Sequence, residues 1–224
     1  MKMLRPNPRL RTWVALTISL IPNSALRIWL YRIILGYSIG PGSAIGMLTI
    51  IACSSFRCGN NFIIGRNNLI IGPISVTIGD GVVIGRFNKV VCGNIAGDSA
   101  MTSMEYKREF NVKTGALIYD SHYFDVYGRI DIGEGTWVAG IGSQFWTHGA
   151  SVLDRDIEIG ADCYLGSAVR FAPGSMVSDR SIVGLGSVVI EKHRATDVVI
   201  SGVPAKVIRS VEAGETRKFV FEFH

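Results

Sequence analysis

From Ile159 to Val189 an aliphatic or aromatic residue stands at every sixth position: Ile159, Leu165, Phe171, Val177, Val183 and Val189. Four residues after each of the first five comes a small or short-branched side chain, at Cys163, Val169, Ser175, Ser181 and Ser187. After four of the six the next residue is Gly or Ala (Gly160, Gly166, Ala172, Gly184). A strand repeats every two residues and a helix about every 3.6, so neither gives a period of six. One short flat strand plus one tight corner does. Three such units close a triangular coil, and stacked coils make a β-helix, so the pattern predicts an all-β solenoid. A sandwich of alternating strands, with turns about 8–12 residues apart, does not fit this pitch.

The same mark recurs earlier as Ile39-Gly40, Ile45-Gly46, Cys58-Gly59, Ile64-Gly65, Ile71-Gly72, Ile78-Gly79 and Ile84-Gly85, and again at Ile132-Gly133 and Val138-Ala139. The branched residue is expected to point inward, with Gly accepting corner dihedrals that other residues resist. Asn60, Asn61, Asn67, Asn68 and Asp80 suit corner positions with positive φ. The solenoid is expected over 37–209, interrupted by an excursion at 93–128 and a shorter non-repeat patch at 145–156. A tail of residues 210–224 follows. Its alternating stretch Lys218-Phe219-Val220-Phe221-Glu222-Phe223-His224 fits a strand or a helix.

Residues 1–36 differ from the rest. Lys2, Arg5, Arg9 and Arg11 lead into an apolar run at 13–21, then Pro22-Asn23-Ser24 offers a break and a helix N-cap. A second helical segment at 25–35 ends at Gly36, a natural residue just past a helix C-terminus. Neither half reaches the roughly 20 apolar residues that span a bilayer. Two helices capping the open end of the solenoid is one reading. A basic, amphipathic membrane-surface segment and a cleaved signal peptide are the others.

The chain has 224 residues, 48% of them hydrophobic and 18% charged, with 26 Gly, which fits a folded protein and excludes disorder. A formal net charge of +5 suits anionic small ligands or a lipid surface. Basic runs, zinc-finger spacing and ribonucleoprotein motifs are absent, so no nucleic-acid partner is expected. Cys53, Cys58, Cys92 and Cys163 form no CxxC and are read as reduced and structural, which points to a cytoplasmic setting.

Four His can be weighed one by one. His193 and His224 read as solvated surface residues. His148, in Gln144-Phe145-Trp146-Thr147-His148-Gly149, sits where the register breaks off. An imidazole at the edge of a rigid scaffold suits general-base work, because it titrates near neutrality. His122, in Asp120-Ser121-His122-Tyr123-Phe124-Asp125, is open to three readings: base, substrate contact or structural hydrogen-bonder. A GxSxG elbow, a Walker loop and a strand-bound GxGxxG are all missing. A zinc site would need a third His near these two, so no metal is expected.

The hexapeptides, together with the closing motif Gly202-Val203-Pro204-Ala205-Lys206-Val207-Ile208-Arg209, carry a resemblance. Over roughly 39–92 and 116–209 the chain resembles the hexapeptide-repeat acyltransferases with a left-handed parallel β-helix, in the branch of the maltose and galactoside O-acetyltransferases. It is most similar to O-acetyltransferases of bacterial surface-polysaccharide clusters. The resemblance implies a homotrimer in which acetyl-CoA and a sugar or glycan acceptor meet between subunits. It implies His148, after Thr147, as the catalytic base, and His122 as second choice or acceptor-side contact. It places the pantetheine arm along Gly166-Ser167 and Leu185-Gly186, next to Tyr164, with Lys206 and Arg209 near the CoA phosphates.

Two positions depart from that pattern. Tyr164 stands where Trp is common, and Glu191 stands where a basic residue is expected, with Lys192 displaced by one. The function expected is O-acetylation of a sugar hydroxyl of a surface-polysaccharide precursor, by direct transfer without an acyl-enzyme. N-acylation of an amino sugar or other small amine, and a non-catalytic trimeric scaffold in glycan assembly, are the alternatives. The setting expected is the cytoplasm or the inner face of the cell membrane.

Overall fold

The structure, a computed structural model, describes residues 7–212. Lys2, Arg5 and the alternating stretch 218–224 with His224 lie outside them. The chain winds as a parallel β-helix whose short strands stack into three faces. The first face is a ladder running Ala44–Ile45, Ile63–Ile64, Val83–Ile84, Leu117–Asp120, Trp137–Ile141, Tyr164–Leu165, Ile182–Val183 and Val198–Gly202. Ala205–Ser210 then folds back antiparallel on its end. The second face includes Lys89–Val91, Tyr123–Asp125, Gln144–Trp146, Arg170–Phe171 and Val188–Val189. The third includes Glu109–Val112, Arg129–Ile132, Ile157–Ile159, Met176–Val177 and Lys192–His193. Two long strands, Ile50–Cys58 and Leu69–Ile78, run from the second face round the corner into the third.

The six-residue anchors are the core. Ile159 stacks on Val177, Leu165 on Val183 and Phe171 on Val189, each pair 18 residues apart, so three hexapeptides make one coil. All six are buried, as are Cys163, Val169, Ser175, Ser181 and Ser187. Phe124, Phe145 and Phe171 form an interior stack, with ring centres 4.6 and 5.2 Å apart. The four cysteines form no disulfide and are buried, as expected of small hydrophobes. Burial pushes the Cys53 and Cys92 thiols up to about 12.

Glycine plays a different part from the one expected. Apart from Gly72, at φ 122°, the Gly after an anchor does not supply positive φ. That conformation falls two residues later, at Gly42, Asn61, Asn67, Gly135, Asp162 and Gly186 among others. What the anchor glycine supplies is clearance between coils: a methyl group on Gly133 would lie 2.3 Å from the Gly160 carbonyl, and one on Gly46 2.3 Å from that of Gly65. Of the Asn and Asp expected in the left-handed region, Asn61 and Asn67 are there, while Asn60, Asn68 and Asp80 are not.

The excursion expected over 93–128 is shorter. Only 93–108 leaves the coils, in two 3-10 turns, Asn94–Gly97 and Ser99–Met104. Residues 109–125 make a full coil whose inward residues, Val112, Ile118 and Phe124, keep the register. They are followed by Lys113, Tyr119 and Asp125 instead of Gly, which hides the repeat from a search for aliphatic-Gly pairs.

Two helices close the N-terminal end: α1 (Pro8–Ser19), capped by Asn7, and α2 (Ser24–Leu35), capped by Asn23 and ended by Gly36 at φ 69°. The first coil has no preceding coil to donate to its carbonyls, and side chains take that place. Arg27 donates to the Ile45 carbonyl, Tyr31 to Thr49 and Tyr37 to Cys53, at 3.1, 3.1 and 2.9 Å, and Arg32 donates to Ile39. A terminal cap of this kind satisfies the open edge of a solenoid. Among the described residues no helix is long and apolar enough to cross a membrane.

Candidate active site

Thr147 and His148 follow the second-face strand Gln144–Trp146, at the corner where the chain turns toward the third face. One coil earlier, Tyr123–Asp125 lies in parallel register with that strand, Phe124 beside Phe145 and Asp125 beside Trp146. The 21-residue offset therefore sets Asp125 next to the corner that carries His148. The Asp125 carboxylate, nearly fully buried, lies 2.6 Å from His148 Nδ1, while the imidazole is 44% exposed. In the neutral imidazole a proton on Nδ1 donated to Oδ2 leaves Nε2 as the acceptor nitrogen.

Thr147 holds this geometry. Its buried hydroxyl donates to the Asp125 carbonyl and accepts the backbone N–H groups of Tyr127 and Gly128 at 2.8 and 2.9 Å. A hydroxyl has one proton and two lone pairs, so all its capacity is spent locking one coil to the next. The Thr147 N–H donates to the same Asp125 oxygen that meets His148.

Aromatic rings wall the site. Tyr127 lies on the His148 ring at 4.3 Å, and Tyr106 meets Tyr127 edge-on at 5.0 Å. Arg155 covers Tyr106 and donates to the Met104 carbonyl at 3.2 Å. The two interruptions of the register, 93–108 and 147–156, therefore pack on each other beside His148. On its other side Trp146 packs against Tyr123 at 5.0 Å. Burial raises the Tyr123 and Tyr127 hydroxyls above the ordinary phenol value, the coulombic effect of Asp125 adding to it.

His122 belongs elsewhere. It is 1% exposed, and its Nδ1 accepts the Ser143 N–H at 3.1 Å. This is one rung of a ladder at the corner between the first and second faces. Asn68 N–H donates to Thr49, Asn88 N–H to Asn68, His122 N–H to Asn88, and Ser143 N–H to His122. Each side chain accepts from the same position one coil on. Desolvation lowers the His122 pKa to about 4. A sealed ring cannot take a proton from a substrate or touch an acceptor, so the catalytic and acceptor-side expectations for His122 are replaced by a structural role. His193 is corrected likewise: it fills an inward position of the third face beneath Val177 and is buried, not solvated.

The residues expected to meet CoA lie along one side of the solenoid. Gly166-Ser167 and Leu185-Gly186 stack at the corner between the first and second faces, where Gly186 N–H donates to the Ser167 carbonyl at 2.9 Å. Leu185 is 79% exposed, and nothing lies within 4 Å of where a Cβ on Gly186 would be, so the ridge is open to an extended chain. Tyr164 stands on the first face between Trp137 and Ile182. Lys206 and Arg209 are exposed on the antiparallel end strand. Lys206 pairs with Glu191 at 2.7 Å, so the carboxylate standing at the expected basic position already holds that cation. The second face separates this ridge from His148 within one chain. Sequence motifs alone do not single out Asp125. A second six-residue register through Val112, Ile118 and Phe124 was the signal that would have set it against His148.

No protein-family model matches the chain. Over 55 residues, a quarter of its length, it is 42% identical to the galactoside O-acetyltransferase of Escherichia coli K12, and the matched segment spans 27% of that relative. A hexapeptide-repeat-containing acetyltransferase of Vibrio cholerae superposes with a TM-score of 0.50 at 18% identity, over 92% of this chain and 91% of that one. A polysialic acid O-acetyltransferase gives 0.48 at 18% identity, over 82% and 87%. The chain thus has the β-helical fold found in hexapeptide-repeat acetyltransferases, with a short helical N-terminus.

Proposed function

We propose that the protein is an acetyl-CoA-dependent O-acetyltransferase that acetylates a sugar hydroxyl of a surface-polysaccharide precursor. The observation that carries this reading is the half-exposed His148, with Nδ1 held by the buried Asp125 carboxylate and Nε2 left as the acceptor nitrogen. In the reaction the acceptor hydroxyl gives its proton to His148 Nε2 as its oxygen attacks the thioester carbonyl. The tetrahedral intermediate collapses with loss of the CoA thiolate, which takes the proton back from the imidazolium. The acetyl group passes directly to the sugar, with no acyl-enzyme and no metal. Asp125 holds the tautomer and stabilises the imidazolium while it lasts. The Tyr123–Trp146 and Tyr106–Tyr127 pairs offer flat apolar faces on which a sugar ring can stack.

A homotrimer is part of the proposal, for two reasons. His148 and the Gly166–Gly186 ridge lie on different corners of one chain, so the ridge that serves His148 belongs to a neighbouring copy. The outward row of the first face is apolar, from Ile63 and Val83 through Leu117, Trp137, Tyr164 and Ile182, as a subunit interface requires. Acetyl-CoA as donor and four cysteines that form no disulfide favour the cytoplasm as the place of action, with residues 1–36 as the part turned toward the membrane.

The test is release of free CoA from acetyl-CoA with a panel of glycan acceptors. His148→Ala is expected to lower the rate by about 10²–10⁴-fold, the usual contribution of a general base. Full activity in that variant overturns the assignment. Mass spectrometry of products from paired hydroxyl and amine acceptors separates O- from N-transfer, and absence of CoA binding by calorimetry leaves the scaffold.

A further inference from the structure

Charge is distributed very unevenly along this solenoid. Residues 1–79 contain eight of the 23 Lys and Arg and none of the 18 Asp and Glu, the first carboxylate being Asp80. The helical cap and first coils therefore carry +8 against −3 for the rest of the chain. The same end exposes large apolar side chains at helical spacing. Leu10, Trp13 and Leu20 line the outer side of α1, with Trp13 67% exposed, and Leu26, Trp29 and Ile33 line that of α2, with Trp29 54% exposed. The opposite sides, Ala15 and Ile18 on α1 and Ile28 and Tyr31 on α2, are buried in the hydrophobic core. Each helix is thus apolar on two sides, while packing of the cap explains only one.

We infer that this end of the molecule is a docking surface for an anionic lipid bilayer, with both helices lying in the plane of the interface. The chemistry favours that occupant over protein. A second copy meeting cap to cap would set +8 against +8 with no carboxylate on either side to pair, which repels. Tryptophan at the edge of an apolar stripe, with Arg9 and Arg32 exposed beside it, suits the headgroup level, where aromatic rings and basic side chains collect. Cations near a negatively charged leaflet add attraction that falls away within a Debye length. If the chain is a trimer, three caps on parallel solenoids would face one way, and their weak individual affinities would multiply. The inference does not depend on the acetyltransferase reading, because no cap residue touches His148 or the CoA ridge.

Flotation of the full-length protein with vesicles tests it. Vesicles containing phosphatidylglycerol are expected to carry the protein, with a blue shift of Trp emission, and pure phosphatidylcholine vesicles to carry at least tenfold less. Raising salt to 0.5 M should remove most of the binding, since screening acts on the charge component. The double variant Trp13→Ser/Trp29→Ser should lose binding by about tenfold or more, and Arg9→Glu should weaken it, with the melting temperature and CoA release from a soluble acceptor unchanged in both. Equal binding to neutral and anionic vesicles, or none to either, overturns the inference. So does concentration-dependent pairing of trimers that the Trp13→Ser/Trp29→Ser variant abolishes, which would assign the surface to protein.

Discussion

His122 and His148 stand at opposite ends of one face of the solenoid, one coil apart, and their fates are opposite. At the corner entering the second face, His122 turns inward, gives its Nδ1 lone pair to Ser143 N–H and is kept neutral by burial. At the corner leaving it, His148 turns outward, meets a buried carboxylate and stays half-exposed. Both rings make a specific hydrogen bond through Nδ1, His122 as acceptor and His148 as donor. The difference is burial: His122 Nε2 is sealed in the packed core, while the His148 side chain is 44% exposed. A His at a break in a repeat is therefore not a functional signal until the side of the backbone it occupies is known.

The largest test of that contrast is Asp125→Asn. It keeps the shape but removes the carboxylate, and kcat is expected to fall by about 10²-fold or more. Combined with His148→Ala it should cost little beyond His148→Ala alone, because the two act as one unit. Steady-state kinetics on the three proteins checks this, and additive losses would separate the residues.

The second test concerns stability. His122→Leu leaves the Ser143 N–H buried without an acceptor and is expected to cost about 1–3 kcal/mol, with CoA release per folded molecule unchanged. His122→Asn should recover most of that loss, since Asn88 and Asn68 fill the same position one and two coils earlier.

The same pair of variants sharpens the acid behaviour. The folded-state pKa of His122 lies near 4 and the unfolded value near 6.5. Between these the unfolded chain binds more protons. Stability is thus unaffected above about pH 6.5 and falls as pH drops toward 4, by about 3 kcal/mol at most. Denaturant midpoints from pH 7 to 4 should be flatter in His122→Asn than in the parent, and an identical slope would discard the account.

The smallest effect belongs to Tyr127→Phe. The ring over His148 remains and only the bond from Gly93 N–H to the phenol is lost, so stability should change by less than about 1 kcal/mol and kcat by less than about threefold. A larger fall in kcat at unchanged melting temperature would show that the Tyr127 hydroxyl itself enters the reaction.

Much of this molecule is visible in its sequence. Six-residue spacing has one economical explanation, so the anchors from Ile159 to Val189, the coil count per turn and the inward set follow without coordinates. The bounds of the second helix follow from Asn23 and Gly36, and Thr147-His148 stands out because the register stops there. Local signals of this kind survive because each depends on a few neighbouring residues. The coil at 109–125 was hidden because large residues follow its anchors, and with it went the partner of the candidate base.

What only the tertiary structure decided is lateral. Which residue of one coil faces which residue of the next depends on the exact number of residues spent at every corner between them. One residue more or fewer between Phe124 and Phe145 would move Asp125 away from His148. The inward turn of His122 depends on a ladder that begins at Thr49, three coils earlier in the stack. The period of the chain determines the shape of a coil, but the offset between coils, set by packing and backbone hydrogen bonds, determines which side chains meet.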